Sequence, residues 1–152
     1  SEKNIKTALT HAKENKLNIN YLCCDVETLA KGKDKFDVIL NMEVIEHVAD
    51  PELFLSEASK LLNKNGLMFV ATLNRTVKSL VFAKFGAEYV LRWLPKGTHE
   101  WQKFLKPSEI YTMLEKNKLK LIDMKGMNLD ILRNEWKLNN DLSVNYIALY
   151  KK

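Results

Sequence analysis

The sequence predicts an α/β fold with helices on both faces of a parallel sheet, from three features of its middle third. An apolar, β-branched run at Phe36 to Asn41 is typical of a buried strand. Asp50, Pro51 and Glu52 follow as a capping side chain, a proline at the first helical position and a first-turn acid. A second apolar run lies at Leu67 to Leu73. Strand, helix and strand in this order form the unit of a parallel sheet with a right-handed crossover.

Further elements are predicted on both sides of this unit. Apolar residues at helical spacing predict helices over 4–16, 76–94 and 107–117. Alternating or continuous apolar runs predict strands over 19–24, 119–124 and 145–150, the last two closing the sheet in antiparallel fashion. Residues 128–142, which include Trp136, are predicted to be a polar connector.

Composition indicates one ordinary globular domain. The chain has 152 residues, of which 46% are hydrophobic and 28% charged. No apolar run approaches the ~20 residues that a membrane-spanning helix needs. Cys23 and Cys24 are adjacent within an apolar run, which favours packing thiols in a reducing compartment. The net charge of +5 comes from lysines spread along the chain, so no nucleic-acid partner is expected.

An acidic turn directly after the first strand is the main candidate site. Glu43, Glu46 and His47 follow the strand that ends near Asn41. Ligands of open α/β sheets bind at the carboxyl edge of the strands, where these side chains are expected to lie. On a helical turn they share one face, where they can bind a metal or act as acid and base. The alternative is a solvated first turn of a helix without a ligand.

Three segments carry a family resemblance. FDVILNMEVIEHVADPELFL, NGLMFVATLNR and AEYVLRWLPKGTHEWQKFLKPSEI resemble the class I S-adenosylmethionine-dependent methyltransferases. More narrowly, they are similar to the O-methyltransferases of ubiquinone biosynthesis, and the resemblance covers essentially the whole chain. It implies a Rossmann-like sheet with strand order third, second, first, fourth, fifth, seventh, sixth. It also implies S-adenosyl-L-methionine as cofactor and a polyprenylated phenol as substrate.

The resemblance also shows which family features the chain lacks. The family's glycine-rich cofactor loop has no counterpart, because none of the five glycines forms a G-x-G cluster. Residues 1–152 are therefore predicted to be the carboxyl-terminal two thirds of a single methyltransferase domain, without the first two strands. In that case the Phe36 strand becomes a bare apolar edge and the Ile19 strand has no hydrogen-bonding neighbour.

The resemblance assigns three residues to the cofactor. Asp25 and Val26 resemble the family's adenine-binding turn, in which a carboxylate accepts from the amino group and an apolar neighbour packs on the ring. Met42 matches a residue that lies along the cofactor. The alternatives remain open, since an acidic turn after a strand is commonplace and a methionine also suits core packing.

The same resemblance assigns the acidic turn to catalysis. Glu43, Glu46 and His47 match positions proposed to hold a divalent metal, usually magnesium. Such a metal lowers the pKa of a phenolic hydroxyl and orients its oxygen. A set that contains histidine suits zinc, manganese or iron as well. Glu46 and His47 are the candidate catalytic residues, and His47 can also serve as general base without a metal.

Residues 75–104 resemble a membrane-contacting insertion of the family. Phe82, Phe85 and Trp93 stand among basic residues, as in interfacial amphipathic helices that meet anionic lipid. The alternative is a lid over the substrate pocket. His99 is either a pocket residue or a surface loop residue. The implied location is the inner face of a bacterial inner membrane or the matrix side of a mitochondrial one.

Other function classes compete with this prediction. The chain can be a non-catalytic remnant or an interaction module, or a methyltransferase for another small molecule. A missing amino-terminal segment or a ubiquinone-synthesis complex are further candidate partners. Methyltransferases that act on exocyclic amines often carry an Asn/Asp-Pro-Pro-aromatic motif. Here that position reads Asn41-Met42-Glu43-Val44, which favours an oxygen acceptor.

Overall fold

A computed structural model describes residues 1–81, 101–130, 133 and 135–152, with backbone alone at 129 and 130. Within this part of the chain the α-helices are α1 (Glu2–Glu14), α2 (Val26–Ala30), α3 (Pro51–Leu61), α4 (Val77–Leu80) and α5 (Pro107–Lys116). The strands are β1 (Phe36–Met42), β2 (Leu62–Leu73), β3 (Lys120–Asp130), β4 (Glu135–Asn139) and β5 (Asn145–Lys151).

The five described strands form one sheet in the order β1-β2-β5-β3-β4. β1 and β2 are parallel, with Ile39 opposite Met68. β5 lies antiparallel between β2 and β3, and β4 extends the sheet beyond β3. The order of β1, β2, β5 and β3 is the fourth, fifth, seventh, sixth order that the resemblance implies. The predicted α/β fold class is confirmed.

The core lies between the sheet and helices α3 and α5. Leu55 and Ala58 of α3 and Ile110 of α5 are buried against this face of the sheet. α3 begins where the sequence predicts, because the Asp50 carboxylate accepts from the Leu53 amide at 3.0 Å. The sheet contributes alternate residues of its two central strands, namely Met68, Val70, Tyr146, Ala148 and Tyr150.

β1 ends the sheet at an uncovered apolar edge, as predicted. Val38 is 50% exposed and Leu40 is 66% exposed, although both belong to a strand of core-like composition. Their exposed side chains alternate with half-buried Ile39 and buried Asn41, which face the helices. The carboxyl end of this edge strand leads directly into the acidic turn.

Two predicted elements are wrong. Residues 19–24 form no strand, because no described strand is available to exchange hydrogen bonds with them, and Ile19 and Leu22 remain exposed. The connector predicted over 128–142 contains β4, whose Leu138 lies opposite Met127 of β3. Because both apolar side chains of β4 are exposed, the sequence pattern of this short strand does not distinguish it from a polar connector.

The predicted insertion is described only at its two ends. Arg75 forms an ion pair with Glu109 of α5, and the Trp101 indole donates to the Thr76 carbonyl at 2.8 Å. Of the helix predicted over 76–94, α4 is described. Residues 82–100, and with them Phe82, Phe85, Trp93 and His99, lie outside the described residues. No helix in the described ranges is long and apolar enough to cross a membrane.

Candidate functional site

The acidic turn lies where β1 and β2 end side by side. The Glu43 amide donates to the Ala71 carbonyl of β2 at 2.9 Å, which ties the start of the turn to the sheet. Glu43 has a φ of 53°, in the left-handed region that a bulky side chain rarely adopts. Ile45–His47 then form one turn of 3-10 helix. Strained backbone of this kind is concentrated at functional sites.

Glu46 is the buried member of the turn. Its side chain is 2% exposed, and its Oε2 accepts a hydrogen bond from Thr72 Oγ1 of β2 at 2.7 Å. The other oxygen, Oε1, has no hydrogen-bond partner in the described part of the chain and lies 3.9 Å from His47 Nε2. The His47 ring is half exposed. A buried carboxylate therefore presents one oxygen to an imidazole that solvent can reach.

Glu43 is electrostatically coupled to Glu46. Although the residue as a whole is exposed, protein atoms crowd its carboxyl group. Desolvation, together with the neighbouring Glu46 carboxylate, raises the pKa of Glu43 to about 7. Two carboxylates held this close favour the uptake of a positive charge, either a proton or a cation.

The predicted metal set is only partly assembled. Glu43 precedes the helical turn, so the shared helical face assumed from the spacing does not apply to it. In the ranges that the structure describes, no group of three histidine, cysteine or acidic side chains converges closely enough to hold a metal. The metal role of Glu43, Glu46 and His47 stays a prediction.

A cavity of about 360 Å³ opens along β1, between this strand and residues of α2 and α3. Asp25 and Val26 line it, together with Asn41 of β1 and Phe54 of α3. Two of the three residues assigned to the cofactor thus lie at one cavity. Met42 does not line it, and its 43% exposed side chain projects from the end of β1. The wall is mostly apolar, and the lining side chains include Leu22, Leu29, Phe36, Ile39, Leu40, Val44, Ala58 and Leu61.

Asp25 has a structural task in the described chain. Its Oδ1 accepts from the Thr28 amide at 2.7 Å and so caps α2. Hydrogen bonding to Thr28 lowers the pKa of this exposed carboxyl group. The carboxyl group therefore stays charged at neutral pH.

Two polar residues of this site were missed as candidates. Asn41 and Thr72 are buried near the carboxyl ends of β1 and β2. The signal was present in the sequence, because each is a polar residue that closes an apolar β-branched run. Only the packing shows that Thr72 contacts Glu46 and that Asn41 lines the cavity.

Comparison with known proteins defines the class. A family model described as "Methyltransferase domain" matches residues 1–134, and the chain belongs to this methyltransferase family. Solved structures agree in fold. The magnesium protoporphyrin IX methyltransferase from Synechocystis, crystallised with bound S-adenosylhomocysteine, aligns over 100% of this chain and 61% of its own at 17% identity, with a TM-score of 0.64. An S-adenosylmethionine-dependent methyltransferase from Clostridium acetobutylicum aligns over 99% and 72% at 13% identity, also with a TM-score of 0.64.

Curated relatives are far more similar in sequence. The ubiquinone biosynthesis O-methyltransferase of Pelagibacter ubique is 59% identical over all 152 residues, which cover 63% of that protein. The relative of the same name from Bartonella tribocorum is 51% identical over the same span, 62% of its length. The chain thus spans about three fifths of the length of these relatives.

Proposed function

We propose that the chain takes part in S-adenosylmethionine-dependent O-methylation of a polyprenylated phenol, as the names of its relatives suggest. The observation that carries the proposal is the acidic turn at the end of β1. It holds a buried Glu46 and a half-exposed His47 at the sheet edge where ligands of this fold class bind. The alignment with the Pelagibacter ubique protein, 59% identical overall, covers all 152 residues and so includes this turn.

The chemistry needs a proton acceptor at the phenol. The phenolic O–H gives up its proton, and the oxygen then attacks the methyl carbon of the sulfonium. A bond from carbon to oxygen forms, the bond from carbon to sulfur breaks, and S-adenosylhomocysteine leaves. In this proposal His47 takes the proton; its half-exposed ring and the Glu46 oxygen 3.9 Å from Nε2, which would stabilise the resulting imidazolium, support this role. Glu43, whose pKa is about 7, can exchange a proton at neutral pH.

A divalent metal at the same turn is the alternative, and it requires Glu43, Glu46 and His47 to come closer together than they do in the described residues. Glu46 Oε1 is buried without a hydrogen-bond partner in the described chain, and the adjacent Glu43 carboxyl retains its proton until about pH 7. Both features suit a site that receives a cation. Glu43, Glu46 and His47 would hold it, and when bound it would lower the pKa of the phenol.

Substitutions in the turn test the proposal. In the Pelagibacter ubique relative, Ala at the positions that match Glu46 or His47 is expected to slow methyl transfer by about 10²–10⁴-fold. Affinity for S-adenosylhomocysteine should change little, because these side chains act on the acceptor oxygen. The measurements are single-turnover transfer to a short-tailed phenol and calorimetric titration with S-adenosylhomocysteine.

The matched control is Ala at the position of Glu52, an exposed acid in the first turn of α3. This substitution should leave the rate of methyl transfer and the affinity for S-adenosylhomocysteine unchanged. If both turn variants and added chelators leave the rate intact, the acidic turn has no catalytic role and the proposal is wrong.

We further propose that residues 75–104 contact an anionic membrane surface on the cytoplasmic or matrix side. Support comes from the sequence, in which Phe82, Phe85 and Trp93 stand among basic residues. Serine at these three positions should reduce co-sedimentation with anionic liposomes. In the full-length relative the matching changes should lower activity on a long-tailed substrate and spare a short-tailed one. Equal pelleting of the variant and the parent, at low and moderate salt, would contradict the membrane role and favour a pocket lid.

A further inference from the structure

Lysines from distant parts of the chain meet at one edge of the sheet, at the opposite end of the strands from the acidic turn. This edge holds the amino ends of β2 and β3 and the carboxyl end of β5. Lys120 lies directly opposite Lys151, and the Asn65 amide donates to the Lys152 carbonyl at 3.1 Å. The basic edge consists of five exposed lysines, namely Lys64, Lys118, Lys120, Lys151 and Lys152.

The charge of the basic edge is not neutralised within the described part of the chain. None of the ion pairs found there involves its lysines. The Lys152 ammonium donates to the carbonyls of Ser59 and Leu62, at 2.7 and 2.9 Å, so it keeps its positive charge close to the sheet. A surface with several unneutralised cations attracts an anionic partner.

Two features of the basic edge lower the stability of the fold. Lys120 and Lys151 are directly opposite each other on paired strands, where like charges repel. Lys118 follows the C-cap of α5 with a φ of 65°, a position at which glycine is favoured. All three side chains are exposed, so none of them is needed for packing. Folding alone therefore does not account for lysine at these positions.

A cavity of about 330 Å³ adjoins the basic edge, between α5 and the start of β3. Its lining residues are Tyr111, Glu115, Lys118, Leu119, Lys120 and Leu121. Leu121 is 37% exposed and Tyr111 is 40% exposed, so apolar surface faces solvent beside two lysines. Apolar surface next to uncompensated positive charge suits an anionic ligand that also carries an apolar group.

We propose that the basic edge docks an acidic protein segment, with one apolar side chain of that segment in the cavity beside Lys118. The proposal goes beyond the proposed function and does not depend on it. The lysines are spread over β2, β5 and β3, which are adjacent strands about 4.8 Å apart. An extended acidic segment that crosses these strand ends brings successive carboxylates to them.

A protein segment fits the basic edge better than a membrane or RNA. β2 spans roughly 23 Å between Gly66 and Leu73, at ~3.3 Å per residue. A flat membrane that contacts residues 75–104, beyond the other end of β2, therefore does not reach the basic edge. RNA sites combine basic residues with aromatic rings on which successive bases stack, and they favour arginine. The basic edge contains lysine alone.

Fluorescence anisotropy tests the proposal with labelled seven-residue peptides of glutamate and aspartate that differ only in the central residue. The parent chain should bind the peptide with a central leucine at least about threefold more tightly than the one with a central glycine, because leucine fills the cavity. Lys118→Gln combined with Lys120→Gln should weaken binding of the leucine peptide about fivefold. The control, Lys3→Gln combined with Lys6→Gln, removes the same charge from exposed positions of α1 and should weaken binding much less.

Four results would overturn the proposal. Equal weakening by the two double variants would show that only the net charge of the chain matters. Equal affinity for the leucine and glycine peptides would exclude the cavity. Absence of saturable binding at millimolar peptide would exclude docking. A larger effect of the Lys118 and Lys120 substitutions on binding to phosphatidylglycerol vesicles or polyuridine than on peptide binding would identify a membrane or RNA as the partner.

Thermal unfolding without peptide provides a second readout. Lys120→Gln should raise Tm by about 1–3 °C, because it removes the repulsion between Lys120 and Lys151. The control Lys3→Gln should not raise Tm, since Lys3 lies in the first turn of α1 away from the sheet edge. A lower Tm for Lys120→Gln would show that this ammonium already has a stabilising partner within the protein, which overturns the proposal.

Discussion

At the residue scale, Glu43 makes the stability of the chain depend on pH. Its folded-state pKa of about 7 lies above the ordinary value of 4.5, so the folded state binds the proton more tightly. The resulting stabilisation is complete below pH 4.5 and is lost as the pH rises to about 7. In chelator-treated buffer, the urea midpoint of the parent should therefore fall between pH 5 and pH 8 by more than that of Glu43→Gln.

The Glu46 carboxyl group also acts on Glu43, so the comparison with Glu43→Gln isolates the share of Glu43 in the pH dependence. Parallel curves for the parent and the variant would contradict the raised pKa. If the turn binds a divalent cation, adding one at pH 8 should restore the midpoint of the parent and leave Glu43→Gln less affected.

A second residue-scale prediction concerns Thr72. It is fully buried, and its hydroxyl donates to Glu46 Oε2 at 2.7 Å. Thr72→Val keeps the shape but leaves the buried carboxylate without this donor, so it should cost about 1–3 kcal/mol in the free energy of unfolding. Urea denaturation measures the loss. Thr112→Val, which removes an exposed hydroxyl from α5, is the control and should cost much less.

The loss should also depend on Glu46. Combined with Glu46→Gln, Thr72→Val should cost less than it does alone, because the acceptor is no longer charged. Strict additivity of the two substitutions would show that this hydrogen bond contributes nothing.

At the element scale, the free edge of β1 predicts self-association. An uncovered edge strand with exposed apolar side chains is a template for pairing with another chain. Val38 lies at 50% exposure on β1, outside the cavity lining. In sedimentation velocity the parent should form larger species as its concentration rises, and Val38→Lys should suppress them. It should leave the far-UV circular dichroism spectrum unchanged.

Leu53→Lys is the matched control, because Leu53 is similarly exposed, at 44%, but lies on helix α3. It should associate like the parent. If Val38→Lys also associates like the parent, pairing does not occur through β1.

At the scale of the whole molecule, the missing glycine pattern predicts weak cofactor binding. Glycine-rich loops let the backbone approach a cofactor closely, and the 152 residues contain no G-x-G cluster. Calorimetric titration of this chain with S-adenosylhomocysteine should give no saturable heat at micromolar concentrations. The Pelagibacter ubique relative, titrated in the same buffer, is the positive control. Micromolar binding by this chain would contradict the prediction.

Local patterns in the sequence determined most of the helices and strands and their order along the chain. Asp50 and Pro51 predicted the start of α3, the apolar runs predicted β1, β2, β3 and β5, and the resemblance supplied their arrangement in the sheet. Helix caps, prolines and the spacing of apolar residues act over a few residues, so they can be recognised without knowledge of the fold. The acidic turn was also found from the sequence, because its residues are neighbours in the chain.

The tertiary structure decided what depends on partners distant in sequence. Residues 19–24 have the composition of a strand but pair with no strand of the described ranges, and β4 exists because β3 lies beside it. The raised pKa of Glu43 and the Thr72 hydrogen bond to Glu46 arise from burial and from contacts between elements. Strand pairing and desolvation are properties of the assembled sheet, so no local pattern in the sequence determines them.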